Sequence, residues 1–343
     1  MNEQLGELLC NCKVWYSAYE TQRLTLLGFY DLCAGLLDQA CALRPLDEEV
    51  LSMERNLFST VFIMATAALG LPAARLRFYA MVNQCLRTLV TGCDNILDDE
   101  YKEVIPLRLD GDGRRFRSVL QIMTADAVLA KVTGEELAAG RMSAAAASRV
   151  SPAVLAALIP SGVQEHEEES RSGNDIPTPE TMLKQVHFRK TGLLFEAPLR
   201  IVERVGDAAP ERVNCVASAL ARLGTACQIL DDLQDVGEDV ARRRSNLVLS
   251  IAYHGGHFSE RKAVRELTDN ANGIQNGAAE IGQLLSRALF ECRRMAGRHF
   301  QDAYEALSNT IPGFGLREAA GLGALIQKAI MRNRNDLTVS LPA

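Results

Sequence analysis

The sequence predicts an all-α protein, a single domain built from long helices, and three observations support this fold class. Apolar residues recur at helical spacing along nearly the whole chain. No stretch shows the two-residue alternation, bounded by hairpin turns, that indicates strands. With 343 residues, of which 48% are hydrophobic and 23% charged, the chain can bury a substantial core. We therefore expect one domain over residues 1–343, a helix bundle with a central cavity.

The helical pattern can be followed along the chain. In residues 19–43 the apolar positions keep a period near 3.6 residues, at Leu24, Leu27, Tyr30, Leu32 and Leu36. Residues 58–74 are apolar enough to form a buried core helix. The same period returns in residues 135–158, 212–230, 276–297 and 317–332.

Two stretches interrupt this pattern. Residues 106–117 form a turn-rich connection with several arginines, and residues 161–180 are acidic and rich in Gly, Ser and Pro. We expect the second stretch to be a surface loop of about these bounds. Neither stretch indicates a domain linker. Two acidic clusters, at residues 94–99 and 231–235, lie on either side of both stretches, and we expect them to meet at one shared site within a single domain.

Charge and cysteine content narrow the class of protein. A net charge of −6 gives no basic footprint for nucleic acid, so we expect no such partner. Nine cysteines without paired metal-ligand spacing are typical of reduced thiols, so we expect a cytoplasmic protein. The first residues lack a basic segment followed by an apolar block, and no uncharged apolar run has the length of a membrane span. We therefore expect no signal peptide and no transmembrane segment.

Both acidic clusters follow apolar helical runs. The first contains Asp94, Asp98 and Asp99, and the second contains Asp231, Asp232 and Asp235. Residues four positions apart share a helix face, so each cluster directs two carboxylates the same way, at a cost of about 0.2–0.5 kcal/mol per pair. A single pattern of this kind mostly decorates a solvated helix face. Two copies behind apolar runs indicate a binding site instead.

A hard divalent cation would offset this repulsion. Mg²⁺ prefers oxygen ligands and is usually held by one or two carboxylates together with substrate phosphates. If the two acidic helices face each other across a bundle, their mouth can hold two or three Mg²⁺ ions, with Mn²⁺ as a substitute. All six aspartates are candidate ligands, and a diphosphate fits as the ligand that bridges the ions.

A bound diphosphate also needs cations from the protein. Arg189 and Lys190 stand side by side before an apolar run, and Arg242–Arg244 follow the second acidic cluster. The three arginines also fit a solvated basic turn. Lys190 stands in a more apolar context and is therefore the stronger candidate.

With these motifs in order, the chain resembles the trans-polyprenyl diphosphate synthases of the class I isoprenoid synthase superfamily. CDNILDDE is similar to their first motif, HDDxxDD, with Cys93 in place of His and Asn95 in place of Asp. CQILDDLQD is similar to the second motif, FQIxDDxLD, and RKTGLLF to KTAxLF. The resemblance runs from about residue 50 to the C-terminus and implies a homodimer. It implies catalytic roles for Asp94, Asp98, Asp231 and Asp235, and diphosphate binding by Lys190, Gln228 and Arg244.

The chain departs from that family where elongating members bind isopentenyl diphosphate. Their GGKRxRP motif is replaced by a segment that includes Met53 and Glu54, and Arg55 is the cation that survives nearby. Glu103 and Val104 stand where those members have an arginine pair. We therefore expect this second diphosphate site to be lost, unless it is rebuilt by Arg108, Arg114, Arg115 or Arg117.

The favoured hypothesis is consequently a terpene synthase. Mg²⁺ would stabilise the leaving diphosphate of an allylic prenyl diphosphate, and the resulting cation would cyclise on its own distal double bond. Candidate aromatic faces for that cation are Phe78, Tyr79, Phe188, Phe195 and Tyr253. Two alternatives stay open. One is a prenyltransferase that condenses isopentenyl diphosphate or prenylates another acceptor, and the other is a non-catalytic partner subunit of a prenyl synthase.

Overall fold

The computed structural model describes residues 2–37, 41–169, 176–269 and 278–332. Within these ranges the only β-type pairing is an isolated bridge between Leu43 and Leu107, which confirms the all-α prediction. A π-helical segment, Met182–Gly192, joins α7 to α8. The helices are α1 (Asn2–Asn11), α2 (Lys13–Leu36), α3 (Leu57–Ala67), α4 (Ala73–Leu97), α5 (Arg114–Ala138), α6 (Ala144–Glu169), α7 (Pro179–Thr181), α8 (Leu193–Val205), α9 (Pro210–Arg242), α10 (Leu247–His254), α11 (Phe258–Asp269), α12 (Ala278–Leu284), α13 (Ser286–Thr310) and α14 (Leu316–Arg332).

Helix α9 forms the centre of the bundle. Between Ala219 and Leu230 every residue except Arg222 is buried, and a helix that is buried on all sides belongs to the interior. It packs against α13, α8 and the π-helical segment. The second acidic cluster lies on this helix just after the buried stretch, so the core of the protein holds it in place.

Gly224 lets α8 and the π-helical segment approach α9 closely. A Cβ atom at this position would lie 2.8 Å from Cγ of Phe195 and 3.0 Å from the carbonyl oxygen of Thr191. Both distances are shorter than ordinary van der Waals contact. One turn further along α9, Gln228 accepts a hydrogen bond from the hydroxyl of Thr191. The glycine thus sets the spacing that brings the two elements together at the site.

The loop predicted over residues 161–180 is wrong in its first half. Helix α6 continues through Glu169, although Pro152 and Pro160 lie inside it. The reason is tertiary packing, because Gln164 and Glu168 are buried and the hydroxyl of Ser161 donates a hydrogen bond to the carbonyl oxygen of Lys190 at 2.9 Å. Residues 170–175 lie outside the described residues, and α7 begins at residue 179.

Two helices are long and apolar enough to cross a membrane, judged by length and hydropathy alone. They are Ala144–Glu168 and Pro210–Arg242. In the second, 78% of the apolar window is buried inside the protein, so its hydropathy is that of a core helix. The corresponding share for the first is 28%, and part of its apolar surface lines the cavity described below.

We expect the substitution Gly224→Ala to lower the free energy of unfolding by about 1–3 kcal/mol, because the new Cβ has to push Phe195 and the Thr191 carbonyl away. Gly237→Ala on the same helix is the matched control. Its Cβ would meet Cδ1 of Ile281 at 3.4 Å, and alanine favours the helix, so stability should hold or increase. Denaturant unfolding measures both variants. Equal effects at the two positions would contradict the close approach at Gly224.

Candidate active site

The two acidic clusters meet at the mouth of a cavity of about 910 Å³. Asp94 and Asp98 enter it from the end of α4, and Asp231 and Asp235 enter it from α9. The four carboxylates that share helix faces at four-residue spacing therefore line one space. We name this space the mouth cavity.

The other two predicted metal ligands lie outside the lining of the mouth cavity. Asp99 has a side chain that is 79% exposed, a positive φ of 54°, and an ion pair with Arg115 at 3.2 Å. Asp232 is buried and accepts hydrogen bonds from the backbone N–H of Leu247 at 2.6 Å and from Gln228 at 3.2 Å, and His187 Nε2 lies 2.9 Å from its carboxylate. Asp232 thus joins α9 to α10 and to the π-helical segment.

The mouth cavity concentrates negative charge. Desolvation raises the pKa of Asp94 to about 6, and Asp98 adds to the effect although Lys102 opposes it. Desolvation likewise raises the pKa of Asp231 to about 6, and the neighbouring Asp235 contributes. Both carboxyl groups therefore favour the protonated form far more than an ordinary aspartate does, and a bound cation would reverse this preference.

Asp239 is an acidic residue that the sequence analysis missed. It lies four residues after Asp235, on the same face of α9, so the spacing that identified the cluster could have found it. Burial raises its pKa to about 8, although Nδ2 of Asn246 donates a hydrogen bond to its carboxylate at 2.8 Å.

The donor set of the mouth cavity fits a hard divalent cation. All four lining aspartates offer oxygen atoms, which are the ligands that Mg²⁺ prefers. Over the described ranges no three His, Cys, Asp or Glu side chains converge on one point. A cation held here by one or two carboxylates would therefore take its other ligands from substrate phosphates and water.

Two of the predicted diphosphate ligands bridge the elements around the mouth cavity. Lys190, on the π-helical segment, forms ion pairs with Glu165 at 2.9 Å and Glu168 at 3.6 Å on α6. Arg244 follows α9 and donates a hydrogen bond to Asp98 on α4 at 2.9 Å. Arg242 lies 3.7 Å from the same carboxylate. The cations therefore neutralise acidic groups at the positions where a diphosphate would compete for them.

Gln228 is the third predicted diphosphate ligand. It links the π-helical segment, which carries Lys190, to the second acidic cluster. Its Nε2 donates hydrogen bonds to Asp231 at 3.1 Å and to Asp232 at 3.2 Å. Its side-chain oxygen accepts from Thr191, the residue after Lys190. These contacts fix the orientation of the amide beside the mouth cavity.

A second cavity, of about 420 Å³, adjoins the first, and we name it the inner cavity. Arg55 and Arg87 line it together with phenylalanines from α3 and α8, namely Phe58, Phe62 and Phe195. The two cavities have six lining residues in common, which are Val90, Thr191, Leu194, Gln228, Asp231 and Ile330. A mostly apolar space that contains two arginines thus opens directly beside the acidic one.

This arrangement bears on the expectation that the second diphosphate site is lost, because Arg87 joins Arg55 at the inner cavity. The sequence analysis missed Arg87, which lies seven residues before Asp94 on α4 in an otherwise apolar stretch. An isolated arginine two helical turns before the acidic motif was the signal that could have found it. Glu103 forms an ion pair with Arg44, and neither Glu54 nor Glu103 lines the inner cavity.

The arginines proposed to rebuild the second site lie elsewhere. Arg117 donates hydrogen bonds to backbone carbonyls, including that of Leu107 at 3.2 Å. Arg114 pairs with Asp112, and Arg115 pairs with Asp99. Arg108 is exposed and does not line the inner cavity.

Of the five aromatic candidates, Phe195 is the one that lines either cavity among the described residues. Phe78 and Tyr79 pack around the guanidinium of Arg75 instead, and Tyr253 packs beside two arginines of α11. Phe188 is partly exposed at the surface.

Comparison with known sequences supports the resemblance. The sequence model of the polyprenyl synthetase family matches residues 122–244, which include Lys190, the second acidic cluster and Arg244. The chain is 26% identical over 172 residues to octaprenyl diphosphate synthase of Escherichia coli, a match that covers 47% of this chain and 53% of that protein. The chain therefore spans about half the length of the curated relatives it matches.

Comparison with solved structures extends over nearly the whole chain. Decaprenyl diphosphate synthase from Rhodobacter capsulatus gives a TM-score of 0.62 at 17% identity and covers 98% of this chain and 100% of that chain. A polyprenyl synthase from Caulobacter crescentus, complexed with calcium and isoprenyl diphosphate, gives 0.59 at 16% identity and covers 93% and 98%. The protein has the fold of these synthases, and its residues 122–244 match the sequence model of the polyprenyl synthetase family.

These comparisons overturn the terpene synthase hypothesis. The relatives and structural neighbours are named as octaprenyl, decaprenyl and geranylgeranyl diphosphate synthases, which are prenyltransferases. The hypothesis rested on the absence of cations for a second diphosphate, and both Arg55 and Arg87 line the inner cavity.

We expect protons and Mg²⁺ to compete for Asp94 and Asp231, so Mg²⁺ affinity should fall as the pH decreases through about 6. In the metal-free protein the folded state binds protons between about pH 4 and 6 that the unfolded state, with an Asp pKa of 3.8, does not bind. The contribution of these groups to the free energy of unfolding should therefore decrease as the pH rises through this range. Calorimetric titration with Mg²⁺ and denaturant unfolding at several pH values measure the two effects. A Mg²⁺ affinity that is independent of pH would remove the metal assignment.

Proposed function

We propose that this protein is a metal-dependent prenyltransferase that joins an allylic prenyl diphosphate to a second diphosphate substrate of the isopentenyl type. The observation that carries this proposal is the adjacency of the two cavities. One is lined by four aspartates, the other by Arg55 and Arg87, and they share a wall at Gln228 and Asp231. A reaction between two diphosphates needs two separate anion-binding sites. The mouth cavity would bind one anion through metal ions held by its aspartates, and the inner cavity would bind the other through its arginines.

The mouth cavity suits the allylic donor. The four lining aspartates would hold two or three Mg²⁺ ions, which supply Lewis-acid stabilisation of the departing diphosphate. Lys190 and Arg244 lie at the edge of the same space, where their positive charges favour the diphosphate before and after the C–O bond breaks. The apolar side chains of Leu155 and Ile159 on α6 line this cavity as well and suit a prenyl tail.

The inner cavity suits the acceptor. Arg87 donates hydrogen bonds to Asn56 at 3.1 Å and to the carbonyl oxygen of Arg55 at 3.2 Å, both neutral acceptors. Desolvation lowers its pKa, and in the described part of the chain no carboxylate forms an ion pair with it. A cation in such surroundings is poorly compensated, and a bound diphosphate would correct this. The partner of Arg55 is the exposed Glu49.

The aromatic side of the inner cavity suits the chemistry that joins the substrates. Phe195 packs edge to face against Phe58 at 5.4 Å and Phe62 at 5.3 Å between ring centroids, and the three rings give this cavity an apolar lining. Aromatic faces also stabilise nearby cationic carbon, by about 0.5–2 kcal/mol each. The acceptor double bond would thus meet the allylic cation in an apolar environment, with both diphosphates held apart by opposite ends of the site.

The alternative of a non-catalytic partner subunit has little support, because four lining aspartates, Lys190 and Arg244 are all present at one cavity. We also propose a cytoplasmic location, because nine free thiols fit a reducing compartment.

We expect Arg87→Ala to reduce the consumption of isopentenyl diphosphate by about tenfold or more, since a hydrogen bond to a charged group contributes about 1.5–3 kcal/mol. The KM for isopentenyl diphosphate should rise more than the KM for the allylic diphosphate. Labelled isopentenyl diphosphate, offered with each allylic partner and followed by mass spectrometry, measures both. Arg298→Ala, an exposed site on α13, is the control. Unchanged consumption in Arg87→Ala would exclude the inner cavity as the acceptor site.

We also propose a homodimer, which the resemblance implies and for which α5 offers a surface. Phe116, Val119 and Met123 lie three and four residues apart on one face of α5 and are 60%, 41% and 63% exposed. An apolar stripe of this kind marks an interaction surface.

The substitution Met123→Asp should shift the protein from dimer to monomer, because it places a charge in an apolar interface. Light scattering after size exclusion measures the molar mass at several concentrations. Phe258→Asp on α11 is a control at a site that is 82% exposed and lies on another element. A wild-type protein that is monomeric at every concentration would contradict the proposed homodimer.

A further inference from the structure

The C-terminal turns of α6 bring two carboxylates to the lysine of the mouth cavity. Lys190 Nζ lies 2.9 Å from Glu165 and 3.6 Å from Glu168, which are three residues apart and share a helix face. Both glutamates fall in the stretch for which the sequence predicted a surface loop. Their position next to Lys190 is therefore a result of the tertiary structure.

The two glutamates differ in their surroundings. The side chain of Glu168 is 2% exposed, and burial raises the pKa of its carboxyl group, an effect that Lys190 and the neighbouring Gln164 oppose. The side chain of Glu165 is 23% exposed and lines the mouth cavity together with Lys190. Glu168 consequently has Lys190 as its compensating charge, whereas Glu165 is accessible to solvent and substrate.

A buried carboxylate is costly unless a nearby cation compensates its charge. The pair of Glu168 and Lys190 therefore holds the lysine side chain against α6, at the wall of the mouth cavity. Burial alone would favour the neutral amine, and the two glutamates outweigh this effect and raise the pKa of Lys190.

We propose that the two glutamates have opposite effects on substrate binding. Glu168 is a positioning residue that fixes the charged Lys190 at the cavity, and Glu165 is the partner that the diphosphate of the allylic substrate displaces from it. This inference rests on the proposed function and deepens it, because it assigns the order in which Lys190 exchanges its anionic partners.

The chemistry of the exchange is that of one cation with two competing anions. In the free protein the ammonium group contacts Glu165, and a diphosphate that enters the mouth cavity offers it more negative charge at the same place. Glu165 loses its contact and remains partly solvated, which is tolerable for an accessible carboxylate. Glu168 cannot be solvated, so it keeps its contact with the lysine throughout.

The test measures binding without turnover. A C10 prenyl thiolodiphosphate, an unreactive analogue of an allylic diphosphate, is titrated calorimetrically into the full chain with Mg²⁺ present. We expect Glu168→Gln to weaken its binding by about tenfold, which corresponds to about 1.4 kcal/mol. Glu165→Gln should bind it about threefold more tightly, because a competing surface anion is gone. Glu167→Gln, an exposed neighbour whose nearest cation is Arg189 at 3.7 Å, should match the wild type.

A double-mutant cycle separates positioning from a structural effect. In a Lys190→Met background, Glu168→Gln should change the affinity no further, since its effect passes through the lysine. Thermal melting reports on the fold of each variant, and Glu168→Asp, which keeps the charge, should recover most of the binding if Glu168→Gln does not fold.

The outcomes are distinct. Equal weakening by Glu165→Gln and Glu168→Gln would overturn the inference, and so would a full effect of Glu168→Gln in the absence of Lys190. If the wild-type protein binds no prenyl thiolodiphosphate of any chain length, the proposed function fails instead, whatever the glutamates do.

Discussion

The mutual repulsion of carboxylates at the mouth cavity is the constraint on which the rest of the site depends. Four aspartates line one space, and desolvation, with the neighbouring aspartates adding to it, raises the pKa of Asp94 and of Asp231 to about 6. The neighbouring elements respond to this charge. The loop after α9 directs Arg244 to Asp98, and the π-helical segment supplies Lys190. The fold therefore holds a charge distribution that is only partly compensated until ligands arrive, and this suits a binding site better than a structural core.

The inner cavity places positive charge on one side of the mouth cavity. Arg87 lies two helical turns before Asp94 on the same helix, so α4 presents a cation to one cavity and an anion to the other. The shared wall at Gln228 and Thr191 is tied together by a hydrogen bond and lies against the close contact at Gly224. In the proposed reaction the two substrates would meet at this wall, to which Asp231 also contributes.

The sequence predicted the fold class and the principal acidic residues because both depend on helical periodicity. Spacing of four residues places Asp231 and Asp235 on one face, and the structure has them there. Asp232 is rotated by about 100° from its neighbour, so it faces the interior and pairs with His187, which the motif alone does not indicate. Glu168 was missed because its contact with Lys190 joins distant segments, and such contacts leave no local pattern.

The π-helical segment limits the insertions and deletions that the protein tolerates. In Met182–Gly192 the backbone bonds run from i to i+5, so this stretch holds more residues per turn than a regular helix. His187 reaches Asp232 and Lys190 reaches α6 from that wider turn. A single-residue deletion here would allow an ordinary helix to form and would rotate one contact away from the other. The number of residues in this segment is consequently as constrained as their identity, and insertions or deletions should be excluded from it.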